Sequence, residues 1–457
     1  MSGNRPISPR QAIRSISARK LRVIPLAAST YFMVSGGAYG LEELVQQSGY
    51  AVALLILLIV PLVWSLPTAL MVGELSAAIP AEGGFYVWVH RALGPFWGFQ
   101  EAWLSLTSSV FDMAAYPAVF VLSLGRIWPS ATQGSNGIWI GALVIATCVV
   151  WNVFGARQVG RGAIWMGILL LLPFVLIATF ALFRHAATAA GKHAAGHPDL
   201  LAGIMVAMWN YMGWDNASTV AGEVENPQKT YPRVMALALA AIVLSYVIPI
   251  AAVWRTGILP GDWATGSWAS IATRVAGPDF GAALGVAVVL GSLIGAFGSV
   301  NALTMSYSRI PAALAEYGYA PRLLLRKLPN GVPWVSLALC GIAWTAALGL
   351  NFDRLLMLDI LLYGASLILE FVALAVLRVR EPKLYRPFTV QGGWAGAVLI
   401  GIGPAALLIL ALIKNRDERI GPVSALFFGL MIMAGGVVFY FVAAWRKKRS
   451  TRDHDAG

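Results

Sequence analysis

Charged residues are scarce in this sequence. Only 12% of its 457 residues are Asp, Glu, Lys or Arg, whereas about 25% is usual for a soluble domain. Several runs contain no charged residue at all, and each reaches the ~20 residues that cross ~30 Å of hydrocarbon. These runs are residues 51–73, 127–156, 163–183, 234–254, 280–308, 387–413 and 421–445. A soluble globular protein is therefore excluded, and an all-α integral membrane protein is predicted.

Cysteine and histidine are also rare. The two cysteines, Cys148 and Cys340, fall in apolar runs, where packing as small hydrophobic side chains is expected. The sequence has no disulfide framework and no metal-ligand spacing, and its five histidines lie outside the apolar runs. We therefore predict no metal site and no cofactor. The spans also lack the nucleophile–base pair that a membrane enzyme would need, so the chain is not predicted to be an enzyme.

Positive charge is in excess, with 33 Lys and Arg against 21 Asp and Glu. Most of the basic residues fall on one side when the N-terminus is placed in the cytoplasm, including those of an arm at 1–20 and a tail at 446–457. This distribution follows the positive-inside rule. We predict a multi-pass protein of the inner (cytoplasmic) membrane with both termini in the cytoplasm. The partner of the basic residues is then anionic membrane lipid, not nucleic acid.

About twelve transmembrane spans are predicted. Short loops join them into one domain at 21–445, between the arm and the tail. The spans lie near residues 23–47, 51–77, 95–124, 137–154, 163–183, 200–222, 234–254, 280–308, 332–350, 355–377, 394–413 and 421–445.

Spans 1 and 6 are interrupted in the middle. Span 1 contains Ser35-Gly36-Gly37-Ala38-Tyr39-Gly40, and span 6 contains Asn210-Tyr211-Met212-Gly213-Trp214-Asp215-Asn216. A break frees backbone groups that must face protein or a water-filled cavity, and paired breaks in two halves indicate a transporter site. Close helix packing through small residues is the alternative for the first break. Because the breaks are five spans apart, we predict inverted halves at about 21–184 and 199–378, followed by two extra helices at about 394–445.

Acidic residues lie inside three spans, where an ionisable group costs ~2.5–3.5 kcal/mol and usually has a function. Two polar stripes share the spacing i, i+4, i+7, i+11, which places each stripe on one helix face. The stripes are Glu101, Ser105, Ser108 and Asp112 in span 3, and Asp359, Tyr363, Ser366 and Glu370 in span 10. Asp215 lies beside the break in span 6.

Structural roles are the alternatives for these acids: neighbouring hydroxyls for Asp112, an N-cap for Asp215, and a polar partner for Glu370. No Lys or Arg occupies a span centre, so a substrate ammonium or a proton is the simplest remaining partner. Aromatic residues near the breaks can stack over a cation or act as thin gates, with ordinary packing as the alternative. These aromatic residues are Tyr39, Tyr211 and Trp214.

Motifs from residue 24 to about 415 carry a family resemblance. They are the stretch Val34 to Glu42 in span 1, the glycine-aromatic segment Pro80 to Val89, the stretch Tyr211 to Thr230, Ser308-Arg309 after span 8, and Leu369-Glu370-Phe371 in span 10. In order and spacing the chain resembles the amino acid–polyamine–organocation superfamily, and within it the plant-type polyamine uptake transporters. The resemblance implies a fold of five plus five inverted spans with helices 1 and 6 broken, and two further C-terminal helices. It also implies alternating access coupled to protons or to exchange.

The resemblance also suggests the site residues. Substrate-binding residues are expected at the two breaks and in span 3, namely Ser35, Gly36, Gly37, Ala38, Tyr39, Asp112, Tyr211, Gly213, Trp214, Asp215 and Ser218. Some proton-coupled members have a lysine in the middle of span 5, but residues 167–174 contain none here. If protons drive transport, the candidates to carry them are therefore Asp112, Asp215 and Glu370.

A secondary active permease for amino acids or polyamines, coupled to protons, is the function that the sequence favours. The alternative is a neutral amino-acid exchanger in which the acids inside the spans are structural. An ion channel would need repeated pore-lining rings from an oligomer, and the sequence shows no such pattern.

Overall fold

The computed structural model describes residues 20–183, 199–349, 352–414, 419–420 and 423–455. Of the predicted arm at 1–20, only Lys20 is among the described residues. The junction between the two predicted halves also lies outside them. The described chain is helical apart from a two-residue hairpin that pairs Arg419–Ile420 with Val423–Ser424. The helices are α1 Val23–Val34, α2 Glu42–Val60, α3 Leu66–Ala78, α4 Phe85–Leu93, α5 Pro95–Leu124, α6 Asn136–Val153, α7 Ala156–Phe183, α8 Leu200–Asn210, α9 Pro227–Trp254, α10 Trp268–Tyr307, α11 Ile310–Glu316, α12 Trp334–Ala346, α13 Phe352–Arg380, α14 Gly393–Lys414 and α15 Ala425–Asp455.

These helices account for the twelve predicted spans. Within the described residues, nine helical stretches are long and apolar enough to cross a membrane. The remaining spans are the two predicted to be broken and span 9, which is the short apolar helix α12. The prediction of an all-α membrane protein with about twelve helices is confirmed. Large apolar side chains such as Leu143, Trp165 and Phe183 are exposed on the outer helices, as expected where lipid, not water, covers the protein.

Glycines make the sharp turns between consecutive spans. Helical hydrogen bonding continues past Gly49 in α2 and Gly277 in α10, but both residues have positive φ, 72° and 79°, so the chain turns there. The first part of α2, up to Ser48, therefore completes span 1, and span 2 starts after Gly49. A turn of π-helix at Pro61–Ser65 links α2 to α3 within span 2. Only glycine adopts such φ values without strain.

Two predicted loop or tail segments are helical. The glycine-aromatic segment becomes helix α4 from Phe85 onward, and α15 continues without interruption into the predicted tail as far as Asp455. The other helix boundaries lie close to the boundaries of the predicted spans, and span 3 coincides with α5. α7 starts earlier than span 5 because helix can form from Ala156, just after the positive-φ residue Gly155.

Ion pairs hold together one end of the bundle. Arg22 contacts Glu225 at 2.8 Å, Arg309 contacts Glu223 at 2.9 Å, and Lys327 contacts Glu82 at 2.6 Å. We call this end the basic face and the other end the opposite face. At the basic face the segment after α8 is also joined by backbone bridges, Leu21 to Val224 and Glu82 to Val220. α5 starts near this face and runs toward the opposite face.

Candidate functional site

The break in span 1 lies between α1 and α2. α1 ends at Val34, because Ser35 has an extended backbone; Gly37 follows with φ 94°, and its N–H donates to Oγ of Ser35 at 3.0 Å. The Ser35 N–H donates to the carbonyl of Tyr31 at 2.6 Å. At the start of α2, Glu42 accepts a 2.7 Å hydrogen bond from the N–H of Gly40. The break is thus closed mainly by its own polar groups, as a break at bilayer depth requires.

The break in span 6 begins where α8 ends at Asn210. Gly213 has φ 96°, and a Cβ at this position would collide with the carbonyl oxygen of Met33 at the end of α1. Only glycine therefore lets the two broken spans approach each other here. Short 3₁₀ turns at Trp214–Thr219 and Ala221–Glu223 carry the chain onward to the basic face.

A tyrosine of α9 connects the two breaks. The hydroxyl of Tyr246 lies 2.7 Å from Oγ of Ser35 and 2.7 Å from the carbonyl oxygen of Asn210. The side chain is fully buried. Because a phenolic hydroxyl both donates and accepts, this one group can satisfy polar atoms freed at both interruptions.

The two polar stripes face each other across the α5–α13 interface. Ser108 donates a 2.5 Å hydrogen bond to Asp359. The hydroxyls of Ser105 and Ser366 are 3.0 Å apart, and Ser366 donates to Glu101 at 2.5 Å. The helices are therefore antiparallel, with Glu101 opposite Ser366 and Ser108 opposite Asp359. The stripes form one continuous polar seam.

A small cavity of about 10 Å³ lies where this seam meets the break in span 6. That volume is close to the minimum needed for one water molecule. Two carboxylates, Asp112 and Asp359, line it, and the Tyr307 hydroxyl donates to Asp112 at 3.4 Å. No Lys or Arg is among the lining residues, which are Met33, Asp112, Tyr116, Trp209, Met212, Gly213, Asn216, Tyr307, Asp359 and Tyr363.

The cavity is covered unequally on its two sides. Tyr116 lies one turn beyond Asp112 toward the opposite face, and its ring stacks on Trp209 with centroids 6.0 Å apart and planes at 22°. Both rings are only partly buried. The lining residues Asn216, Tyr307 and Tyr363 are buried, and the ion-paired basic face lies beyond them. The cover is therefore thinner on the side of the opposite face.

The predicted site residues divide into three groups. Asp112 and Gly213 line the cavity. Asp215 is one hydrogen bond away, since Tyr363 donates to it at 2.6 Å. None of the other predicted site residues lines the cavity. They are Ser35, Gly36, Gly37, Ala38, Tyr39, Tyr211, Trp214 and Ser218.

Hydrogen bonds to other parts of the protein direct several of these side chains away from the cavity. Tyr39 donates to the carbonyl of Val288 at 2.6 Å, and Tyr211 donates to that of Leu57 at 2.9 Å. Ser218 accepts from the N–H of Phe85 at the start of α4, at 3.1 Å. In this conformation these residues stabilise the folded breaks and the contact between the span-6 segment and α4.

Glu370 lies in the same seam but apart from the cavity. It is fully buried, and neither of its carboxylate oxygens has a hydrogen-bond partner among the described residues. Its acidic neighbours are Asp215 and Glu101, and in the described part of the chain Oε2 of Glu101 also has no hydrogen-bond partner. No Lys or Arg of the described chain forms an ion pair with any of these acids. The seam therefore contains buried acids without a protein cation.

Several cavity residues are not among the predicted site residues. Asp359 and Tyr363 belong to the predicted stripe, so the periodicity already indicated them. Tyr116 follows Asp112 by one helical turn and Trp209 directly precedes the break in span 6, but their stacking depends on how α5 and α8 meet. Tyr307, which lines the cavity, and Tyr246, which joins the two breaks outside it, are each the single tyrosine of a predicted apolar span, so the sequence alone does not indicate a role for them. In the described part of the chain, no three His, Cys, Asp or Glu side chains are grouped to hold a metal ion.

Comparison with known proteins gives a consistent result. Residues 27–437 match the amino acid permease family. The polyamine transporter RMV1 of Arabidopsis thaliana is 30% identical over 440 residues, covering 94% of this chain and 88% of the relative. The polyamine transporter PUT1 of Oryza sativa subsp. japonica is 33% identical over 420 residues, covering 91% and 78%. The serine/threonine exchanger SteT of Bacillus subtilis is 25% identical over 337 residues, covering 71% and 75%.

Proposed function

The chain belongs to the amino acid permease family, and from this premise we propose that it is a secondary active permease for amine-bearing solutes, amino acids or polyamines. It works by alternating access and is not an enzyme. The relatives that support this substrate class are the two plant polyamine transporters and the bacterial serine/threonine exchanger. Polyamines are favoured because the plant proteins match more of the chain at higher identity.

The observation that supports a cationic substrate most directly is the pair of carboxylates in the cavity. Asp112 and Asp359 both line it, and no basic side chain accompanies them. Burying two carboxylates without a cation is costly, and an ammonium group would relieve that cost. The partly buried Tyr116 and Trp209 rings add two π-faces beside the same carboxylates, which also suit a cation.

The cavity must open before it can hold a solute, because about 10 Å³ holds at most one water molecule. The opening starts at Tyr116 and Trp209, where the cover is thinner. The second end of the substrate then lies at the break in span 1, along the backbone of Ser35, Gly36, Gly37 and Ala38. Tyr39, Tyr211, Trp214 and Ser218 contribute to the walls or gates of the opened site.

Protons are the proposed driving ion, and the acids of the seam carry them. Asp112 links the cavity to the seam, Asp215 adjoins the cavity through Tyr363, and Glu370 lies beyond it with no hydrogen-bond partner in the part of the chain that the structure describes. A carboxylate that lacks both cation and donor is more stable when it is protonated. The protein lies in the cytoplasmic membrane with both termini inside, so the basic face meets the cytoplasm.

Transport by purified protein in proteoliposomes tests this function. Labelled putrescine, spermidine and a panel of amino acids are offered with and without an inward proton gradient, and also with unlabelled solute inside to detect exchange. We expect gradient-dependent accumulation of an amine-bearing solute, compared with protein-free liposomes. Gradient-independent exchange of neutral amino acids alone would favour the exchanger. Absence of both uptake and exchange would contradict the proposal.

A further inference from the structure

A groove of about 1210 Å³ opens on the outside of the bundle between α5, α12 and α15. The segment that follows α11 closes the groove at the basic face, where Tyr317 and Tyr319 line it. The groove is separate from the substrate cavity, since the two have no lining residue in common. It is larger than the ~300–1,000 Å³ of ordinary small-molecule pockets.

The walls of the groove are apolar. Trp103 from α5 and Phe439 from α15 both line it, and their rings stack with centroids 4.8 Å apart. Leu339 and Trp344 contribute from α12. All three helices are spans of the membrane domain, so this part of the groove faces hydrocarbon. A groove of this size in a bilayer is filled by acyl chains, because leaving it empty would forfeit the dispersion contacts of its walls.

The end of the groove at the basic face is cationic. Arg322, Arg446 and Lys447 line it, against one carboxylate, that of Glu316. Lys447 is held in place by a 2.8 Å hydrogen bond to the carbonyl of Tyr317, and it lies 4.4 Å from the ring centroid of Tyr319. Arg322 and Arg446 are exposed and form no ion pair within the described residues. Their charges are available to an anion at the membrane surface.

We propose that this groove is a binding site for an anionic phospholipid. The acyl chains lie along Trp103, Leu339 and Phe439, and the phosphate lies at Arg322 and Arg446. An apolar groove that ends in a cationic cluster at the membrane surface matches the two parts of such a lipid. A zwitterionic lipid fits the walls equally well but gains less from the three cations, so the headgroup charge determines the selectivity.

The groove is one residue layer away from the substrate cavity. Ser109 of α5 lies three residues before the cavity residue Asp112 and lines the groove. It accepts a 3.1 Å hydrogen bond from Trp344. Trp344 also packs edge-on against Tyr307, which contacts Asp112. A lipid in the groove therefore supports the helix that carries part of the substrate site.

Native mass spectrometry of the delipidated protein tests the headgroup. Phosphatidylglycerol and phosphatidylcholine with the same acyl chains are titrated separately. We expect tighter binding of phosphatidylglycerol, and a roughly 30-fold loss of that affinity in Arg322→Gln/Arg446→Gln, at about 1 kcal/mol for each cation. The matched control Lys448→Gln/Arg449→Gln removes the same charge from residues outside the groove and is expected to keep the affinity. Equal binding of the two lipids, or equal losses in the two variants, would overturn the proposal.

A second pair of variants tests the apolar part without changing the charge. Ala343→Trp fills the groove from α12, whereas Val438→Trp places the same side chain at an exposed position of α15 outside it. We expect the first to abolish saturable phosphatidylglycerol binding and the second to leave it unchanged. Undiminished binding in a monodisperse Ala343→Trp protein would overturn the proposed site. If that variant does not fold, Val442→Trp fills the groove from α15 and is judged by the same criterion.

Discussion

The hydroxyl of Tyr363 joins α13 to the broken span 6: it donates to Oδ1 of Asp215 at 2.6 Å and accepts from the N–H of Gly213 at 3.0 Å. Both partners belong to the break, and Tyr363 itself lines the cavity. Movement of the break away from α13 would lengthen these bonds. This tyrosine therefore connects the proposed ammonium site with the break in span 6.

Removing that hydroxyl tests the connection. Tyr363→Phe leaves the buried Asp215 oxygen and the Gly213 N–H without this partner, which costs about 1–3 kcal/mol. We expect a lower Tm in detergent and a roughly tenfold slower initial uptake. The control is Tyr116→Phe, which changes a cavity tyrosine whose hydroxyl has no hydrogen-bond partner within the described residues. Similar effects of the two substitutions would contradict the role given to Tyr363.

The two cavity carboxylates are predicted to bind the substrate cation. Asp112→Asn and Asp359→Asn keep the shape but remove one charge each. Losing one partner of a buried charge pair costs about 2–5 kcal/mol, which weakens binding at least ~30-fold. The affinity for a cationic solute is measured by uptake at varied concentration, with Asp279→Asn as a control that removes an exposed carboxylate outside both the cavity and the lipid groove. Unchanged uptake in both cavity variants would favour the neutral exchanger.

Much of the fold was predictable because hydropathy and helical periodicity are local properties. The spans follow from the uncharged runs, and each polar stripe follows from its spacing. That the stripes face each other was not predictable, because the pairing of Ser108 with Asp359 depends on how α5 and α13 pack. Ser218 and Tyr39 illustrate the same limit. Their positions in the motifs suggested the site, but contacts distant in sequence, with Phe85 and Val288, direct their side chains elsewhere.

Glu370 is predicted to act in coupling and not in substrate binding. Glu370→Gln replaces the carboxylate with a neutral group of the same shape, so it removes the proton carrier without opening a void. Because Glu370 does not line the cavity, we expect solute exchange to persist while accumulation driven by a proton gradient is lost. Exchange and gradient-driven uptake are measured on the same proteoliposomes. Loss of both activities together, or of neither, would argue against a separate coupling role.

The ion pair between the buried Arg309 and the partly buried Glu223 is predicted to keep the basic face closed. Arg309 is fully buried at the end of α10 and contacts Glu223, which belongs to the segment that follows the break in span 6. Its other donors reach the carbonyl of Met305 at 2.7 Å and Oγ of Ser308 at 2.9 Å. Glu223→Gln leaves this guanidinium without an anion. Breaking a fully buried pair costs about 3–5 kcal/mol; because Glu223 is 23% exposed, we expect a smaller but clear loss of thermal stability.

The matched control is Glu381→Gln, which breaks an exposed pair with Arg91 on the same face. The Arg91 hydrogen bond holds the pKa of Glu381 below its usual range. The pair therefore stabilises the protein above the usual carboxyl pKa, and this contribution is lost only as the pH falls through the lowered value. At pH 7, above this lowered pKa, the Glu381 pair is intact, and an exposed pair contributes about 0–1 kcal/mol. Thermal unfolding at pH 7 should then show a much larger loss for Glu223→Gln. Equal losses would mean that the Arg309 contact does not hold the basic face closed.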